Sequence, residues 1–170
     1  MRTGVCLFIV LFLNLLILPA YGQDDPQAAF RASGLPVPRF ASLKAEKAYV
    51  RSGPGMQYPF EWVYQREGLP VEIVQEFETW RKIKDADGGE GWINALLLSG
   101  RRMVSIRKGS VVEMRENEKT DARLIARLEP GVIAELRKCT ETRCLIGAGG
   151  YSGWVERNFL WGIYDREEFN

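Results

Sequence analysis

Six side chains in the first half of the chain have the types and spacing expected of a surface that holds a ligand without covalent chemistry. Four are aromatic and two are charged: Tyr49, Arg51, Tyr58, Trp62, Glu78 and Trp80. Aromatic faces stack on sugar rings or peptide planes, while a few polar groups fix the orientation of the bound molecule. A role in the core competes with this interpretation for the two tryptophans, and Arg51 could instead pair with a carboxylate.

The residues that most catalytic sites require are missing. The sequence has no histidine, which excludes Ser-His-Asp triads and Cys-His pairs. Carboxylates are plentiful, but most stand in charged strand faces and turns rather than in a setting suited to glycan cleavage. Asp85 and Asp87 resemble the start of a calcium loop, but the later oxygen ligands and the closing glutamate are not at the required spacing. We therefore expect a non-enzymatic protein with no cofactor and no metal site.

Two cysteines in the second half, Cys139 and Cys144, predict a disulfide. They flank the polar residues 140–143, which suit a turn, and the segments on either side have the composition of strands. A zinc site is excluded because two thiols without any histidine cannot supply four ligands. The loop that the disulfide closes is short, so we expect it to stabilise the fold by about 2 kcal/mol.

Short strands must position these side chains. From residue 49 onward, runs rich in Val, Ile, Trp and Tyr alternate with Gly, Pro and Asp, a pattern typical of an all-β fold. The clearest strands of the first half are residues 71–74, 80–84 and 91–93, and residues 85–89 predict a hairpin turn. Residues 94–98 predict one short turn of helix.

The strand pattern occurs twice, over residues 47–93 and again over residues 109–155. Val50-Arg51 corresponds to Met114-Arg115, and the ending Gly91-Trp92-Ile93 corresponds to Gly153-Trp154-Val155. The glycine of each ending lets the strand bend or lets another backbone come close. The copies differ at a candidate position, because Arg143 stands where the first repeat has Trp80.

The first repeat resembles the bacterial SH3-like domain family. The resemblance rests on Tyr49-Val50-Arg51-Ser52-Gly53-Pro54-Gly55 with Tyr58-Pro59, followed by the Gly68 turn, the Trp80 strand and Gly91-Trp92-Ile93. The second half is similar to the exported two-repeat members, although it lacks the Ser-Gly-Pro-Gly loop. The resemblance implies an all-β protein of two tandem small SH3-like β-barrels. Each repeat is barely large enough for its own core, so Trp161 and Tyr164 are expected to close the second barrel or to seal the interface between repeats.

The N-terminal residues predict export. Residues 1–22 combine Arg2, an apolar run and an Ala-x-Gly ending, which is typical of a cleaved signal peptide, with an uncleaved anchor as the competing interpretation. The apolar run is too short to predict a stable membrane span. Residues 23–40 predict an extended tether, residues 41–100 and 101–165 the two repeats, and residues 166–170 a tail. Cleavage leaves 22 basic and 22 acidic residues, a balance that argues against a nucleic-acid partner.

These features predict a non-catalytic binding module exported to the periplasm or the extracellular space. The resemblance implies that it binds cell-wall peptidoglycan, and the first repeat, with its intact loop, is the expected ligand surface. The alternative is a module that binds an extended peptide of an envelope protein. Residues 34–39 of the tether are themselves such a peptide, so they could lie along a repeat of their own chain or mediate self-association with a neighbour.

Overall fold

The computed structural model describes residues 33–109 and 111–169. Within these ranges the chain forms two seven-stranded antiparallel sheets and no α-helix. The predicted signal peptide and residues 23–32 of the predicted tether lie outside the described residues.

The first sheet comprises β1 (Arg39–Leu43), β2 (Ala48–Arg51), β3 (Phe60–Tyr64), β4 (Pro70–Phe77), β5 (Trp80–Lys84), β6 (Glu90–Asn94) and β7 (Leu98–Ser99). Their spatial order is β3-β2-β6-β5-β4-β1-β7. A single apolar cluster includes Val50 on β2, Ile83 on β5 and Leu43 on β1, and Trp62 and Leu98 pack against it. A flat sheet could not bring strands from both of its edges to one cluster, so the sheet curls into a small barrel around this core.

The second sheet comprises β8 (Met103–Ile106), β9 (Val112–Arg115), β10 (Leu124–Leu128), β11 (Ile133–Cys139), β12 (Arg143–Ala148), β13 (Tyr151–Glu156) and β14 (Leu160–Trp161). Its order, β10-β9-β13-β12-β11-β8-β14, repeats that of the first sheet strand for strand. Met114, Ile146, Val155 and Leu160 belong to its own buried cluster. The predicted fold class, all-β with two tandem small barrels, is confirmed.

The corresponding hairpin of each barrel is closed by a different cross-strand link. In the first barrel Glu76 on β4 faces Arg81 on β5, with 3.0 Å between Glu76 Oε1 and Arg81 Nε. At the same register in the second barrel, Cys139 on β11 faces Cys144 on β12, and the two form a disulfide. The predicted disulfide is therefore confirmed, and it occupies the place of an ion pair in the other repeat.

The segment before β1 lies against the first barrel. Ser33 donates its backbone N–H to the Glu76 carboxylate at 2.8 Å and its hydroxyl at 2.7 Å, and Arg39 pairs with the same carboxylate. Residues 33–38 thus contact a repeat of their own chain, while self-association with a neighbour stays a prediction. Strand β1 begins at Arg39, so the first sheet takes up the last two residues of the predicted tether.

Aromatic side chains join the two barrels. The ring of Phe40 on β1 lies 5.3 Å from that of Trp161 on β14 and 4.6 Å from that of Tyr164, measured between centroids. Tyr164 donates its hydroxyl to Glu72 on β4 at 2.9 Å. Burial, followed by this hydrogen bond, raises the pKa of Tyr164. Of the two roles expected for Trp161 and Tyr164, sealing the interface is confirmed for both, and Trp161 also extends the second sheet.

Among the described residues, helical structure is confined to single turns. The 3₁₀ turns Ala95–Leu97 and Arg157–Phe159 follow β6 and β13 at corresponding places. The first of them confirms the short helical turn predicted after the third strand. Across residues 33–109 and 111–169, no helix has the length and apolar character needed to span a membrane.

Candidate ligand-binding surface

The candidate surface is built on the outer face of the β2–β3 hairpin. Val50 is buried in the core, and because side chains alternate along a strand, Tyr49 points outward. A register shift between Val50 and Arg51 makes Phe60 the partner of Arg51. This bulge turns Phe60 toward solvent, although Trp62, two residues later on the same strand, packs against the core.

Two exposed aromatic rings stack on this face. The ring centroids of Tyr49 and Phe60 are 4.8 Å apart, and the side chains are 41% and 57% exposed. Cations flank the pair, with Lys47 Nζ 5.2 Å from the centroid of Tyr49 and the guanidinium carbon of Arg51 4.1 Å from that of Phe60. Cation–π contacts of this kind fix the orientation of the rings. The hairpin therefore presents an ordered aromatic face to solvent.

Arg51 holds the loop beside this face and pairs with no carboxylate of the described residues. It is 8% exposed, and its Nη1 donates to the carbonyl oxygens of Met56 at 3.0 Å and Tyr58 at 2.5 Å. The ring of Tyr58 packs over Gly53, where a Cβ would collide with it. Tyr58 remains 39% exposed. We name the three exposed rings, Tyr49, Tyr58 and Phe60, the aromatic patch.

The other three candidates are placed differently. Trp62 stands opposite Val50 and packs against the core of the first barrel. Trp80 is 7% exposed at the start of β5. Glu78 is exposed in the turn before it, with a φ of 47°, and its carbonyl accepts from Arg81 at 2.9 Å. The structure thus brings Tyr49, Arg51 and Tyr58 together and gives both tryptophans a packing role. A ligand contact by any of the six stays a prediction.

Phe60 belongs to the surface although sequence analysis did not single it out. Phe60, Trp62 and Tyr64 are separated by two residues each, so alternation alone places all three on one side of β3. Only the bulge separates Phe60 from the other two. The available signal was Pro59, because proline next to a strand often accompanies irregular pairing.

The second barrel has no aromatic patch at the corresponding place. Arg115 pairs with Leu124 as Arg51 pairs with Phe60, and its Nη1 donates to the carbonyl oxygen of Ala122 at 2.6 Å. The loop is therefore held in the same way in both repeats. In place of the three exposed rings, however, the second barrel carries Glu113, Ala122 and Leu124.

The Asp85 turn is closed by its own side chain. Asp85 accepts from the backbone N–H groups of Asp87 at 3.0 Å and Gly89 at 2.8 Å, and from the hydroxyl of Tyr64 at 2.7 Å. Burial, followed by this last hydrogen bond, raises the pKa of Tyr64. In the part of the chain that the structure describes, no three acidic or cysteine side chains are grouped so as to hold a metal ion.

Comparison with solved structures returns distant similarities. The chain is 9% identical to NlpC2 from Trichomonas vaginalis, with a TM-score of 0.36, over 78% of this chain and 51% of that one. It is 10% identical to an NlpC/P60 family protein from Bacillus cereus, with a TM-score of 0.33, over 76% of this chain and 58% of that one. The chain thus spans little more than half the length of these proteins, and similarity this low carries no argument about function. No curated protein sequence matches significantly.

A sequence profile described as the bacterial SH3 domain matches residues 44–100 and again residues 108–162. Each match falls within one of the two barrels. Domains of this type are typically non-catalytic and point to binding of cell-wall material, and together with the disulfide they point to an exported protein. Because the two matches cover more than half of the chain, it belongs to the bacterial SH3 domain family and carries two of its domains in tandem.

Proposed function

We propose that this protein is a non-catalytic module of the periplasm that binds cell-wall peptidoglycan through the aromatic patch of its first barrel. The observation that carries the proposal is the exposure of Tyr49, Tyr58 and Phe60 on one hairpin of a domain whose family points to the cell wall. Large aromatic side chains dominate binding energetics because they bury much area for little loss of conformational freedom.

The order of the patch supports this function. Arg51 fixes the loop through two carbonyl oxygens and also stacks on Phe60, while Tyr49 packs against the same ring. A surface that is already ordered before binding loses little entropy when a ligand arrives. The amide planes and sugar rings of peptidoglycan both offer faces for such rings.

A second candidate is a module that binds an extended peptide from an envelope protein. Residues 33–38 favour it, because Ser33 and Arg39 anchor this non-helical segment on Glu76 and Val37 packs against the core. The segment already occupies that place in its own chain, however. The aromatic patch lies on a different hairpin and stays open, which is why we prefer peptidoglycan.

The test is co-sedimentation of the predicted mature chain, residues 23–170, with purified peptidoglycan sacculi at several salt concentrations. We expect Phe60→Ala to weaken retention about tenfold, because losing one stacking face costs roughly 1.4 kcal/mol. Tyr151→Ala is the matched control, since Tyr151 is 59% exposed on the second barrel, outside the patch. Tyr58→Ala should reduce retention as well.

Unchanged melting temperatures for all three variants would show that the loss reflects the surface and not the fold. Equal retention of Phe60→Ala and Tyr151→Ala would contradict the proposal. Failure of the unsubstituted chain to sediment at any salt concentration would favour a protein partner, to be sought by crosslinking in cells.

A further inference from the structure

The second barrel has a cleft of its own, which is lined mainly by charged and polar side chains and not by aromatic rings. A cavity of about 510 Å³ opens between the turn of the β11–β12 hairpin and the 3₁₀ turn Arg157–Phe159. An adjoining cavity of about 240 Å³ shares Thr120, Arg143 and Glu156 with it. We name the two together the charged cleft. The larger volume alone is within the range of small-molecule sites.

Three arginines line the charged cleft. Two of them already donate hydrogen bonds to the protein's own backbone. Arg157 donates to three backbone carbonyl oxygens, and Arg115 donates to the carbonyl oxygen of Ala122. Both therefore hold the walls of the cleft: Arg115 also pairs with Glu113, and the one donor nitrogen of Arg157 without a partner among the described residues, its Nε, is buried away from the cleft surface.

Arg143 is different. Its side chain is 10% exposed, and its one partner among the described residues is Glu156, whose Oε1 lies 3.5 Å from Nη2. Neither Nε nor Nη1 donates to any atom of the described residues. The unused N–H groups of this mostly buried side chain face the cleft, and the planar fork of the guanidinium matches the two oxygens of a carboxylate.

The hairpin does not depend on this guanidinium. Its turn is closed by the backbone N–H of Thr140, which donates to the carbonyl oxygen of Arg143 at 2.8 Å, and by the adjacent disulfide. In the first barrel the buried side chain of Trp80 takes the corresponding position. The arginine is thus dispensable for the turn but exposes unused donors to the cleft.

Carboxylates define the rest of the ligand chemistry. Glu141, Glu156 and Asp165 also line the cleft, so they would repel a multiply charged phosphate but attract an ammonium group. We propose that the charged cleft is a second binding site, for a zwitterionic ligand such as a short peptide, whose carboxylate pairs with Arg143 and whose ammonium group lies beside the acidic side chains.

Titration of the chain with trialanine, followed by amide and arginine Nε–H chemical shifts in NMR, tests the site. We expect saturable shifts at Arg143, Thr142 and Glu156. Trialanine amidated at its C-terminus should bind at least tenfold more weakly, and N-acetylated trialanine should also be weaker. These blocked peptides require no protein variant, so the comparison does not depend on how a substitution folds.

Variants then assign the carboxylate contact. Arg143→Gln should weaken trialanine binding at least tenfold, and Arg143→Lys should weaken it less, because lysine keeps the charge but loses the fork. Arg137→Gln is the control, since Arg137 is exposed on the same barrel and donates to Ser152. Phe60→Ala should leave trialanine binding unchanged, which separates this site from the proposed wall-binding patch.

The proposal is overturned if trialanine causes no saturable shifts at the cleft. Equal affinity for the free and C-amidated peptides would overturn it as well, and so would an Arg143→Gln variant that is folded and binds normally.

Discussion

At the residue scale, Glu76 shows how one carboxylate can organise three parts of a small barrel. Its side chain is fully buried, and it contacts Ser33, Arg39 and Arg81. Burial alone would raise the pKa of Glu76, but the hydrogen bonds from Arg39 and Ser33 outweigh that effect and lower it. The ionised form is therefore the one that the folded state stabilises.

We expect Glu76→Gln to reduce the free energy of unfolding at pH 7 by about 3 kcal/mol, because it leaves buried arginine without its counter-ion. Since folding lowers the pKa of Glu76, its contribution is complete above the ordinary value of 4.5 and is lost as the pH falls through the folded value. Urea unfolding at pH 7 and pH 3 should show the difference between wild type and variant shrinking at the lower pH.

Glu90→Gln is the matched control, because Glu90 also has a lowered pKa through its hydrogen bond with Lys82 but lies at the surface. It should lose much less stability at pH 7. A loss as large as that of Glu76→Gln, or a Glu76→Gln effect independent of pH, would contradict the role given to the buried carboxylate.

At the element scale, each barrel depends on a glycine where two strands come very close. A Cβ at Gly153 on β13 would lie 2.7 Å from the carbonyl oxygen of Arg115 on β9 and 2.6 Å from Met114 Cγ. At Gly91, the corresponding residue, a Cβ would lie 3.2 Å from the carbonyl oxygen of Arg51. This explains in physical terms why a Gly-Trp-aliphatic segment ends both repeats.

Gly153→Ala should destabilise the protein by about 1–3 kcal/mol, because the added methyl group forces β9 and β13 apart. Gly100→Ala serves as the control, since nothing lies within 4 Å of a Cβ at that exposed position. It should change the unfolding free energy by less than about 0.5 kcal/mol. Denaturant unfolding of both variants measures this, and equal stabilities would refute the close-approach argument.

At the scale of the whole molecule, the two barrels form a packed pair rather than independent units on a string. Phe40 on β1 of the first barrel is 8% exposed and packs against Trp161 and Tyr164 of the second. The hydroxyl of Ser42 adds a hydrogen bond to the carbonyl oxygen of Arg101 at 2.9 Å. Domains of this size have marginal cores, so each barrel gains stability from the other.

Phe40→Ala should lower stability by roughly 3–5 kcal/mol and uncouple the barrels, because it empties the centre of their contact. Thermal unfolding followed by calorimetry should change from one transition to two. Phe60→Ala is the control, because it removes the same side chain from a position where the ring is mostly exposed. It should keep a single transition. One unchanged transition in Phe40→Ala would mean that the interface does not couple the barrels.

By itself the sequence determined the strand content, the duplication, the disulfide and the correspondence in position of Arg115 with Arg51. These follow from local composition, alternation and spacing, which act over a few neighbouring residues. It also identified Tyr49 and Tyr58, whose exposure matches their place in an outward-facing hairpin.

Only the tertiary structure decided which aromatic side chains are exposed to solvent and where the second repeat has a cavity. Phe60 faces solvent because of how β3 pairs with β2, whereas Trp62 packs against a core assembled from strands across the whole first sheet. The charged cleft joins Thr120, Arg143 and Asp165, which no local pattern relates. A pairing register and a cavity are properties of several segments together, so the alternation within any one of them cannot specify either.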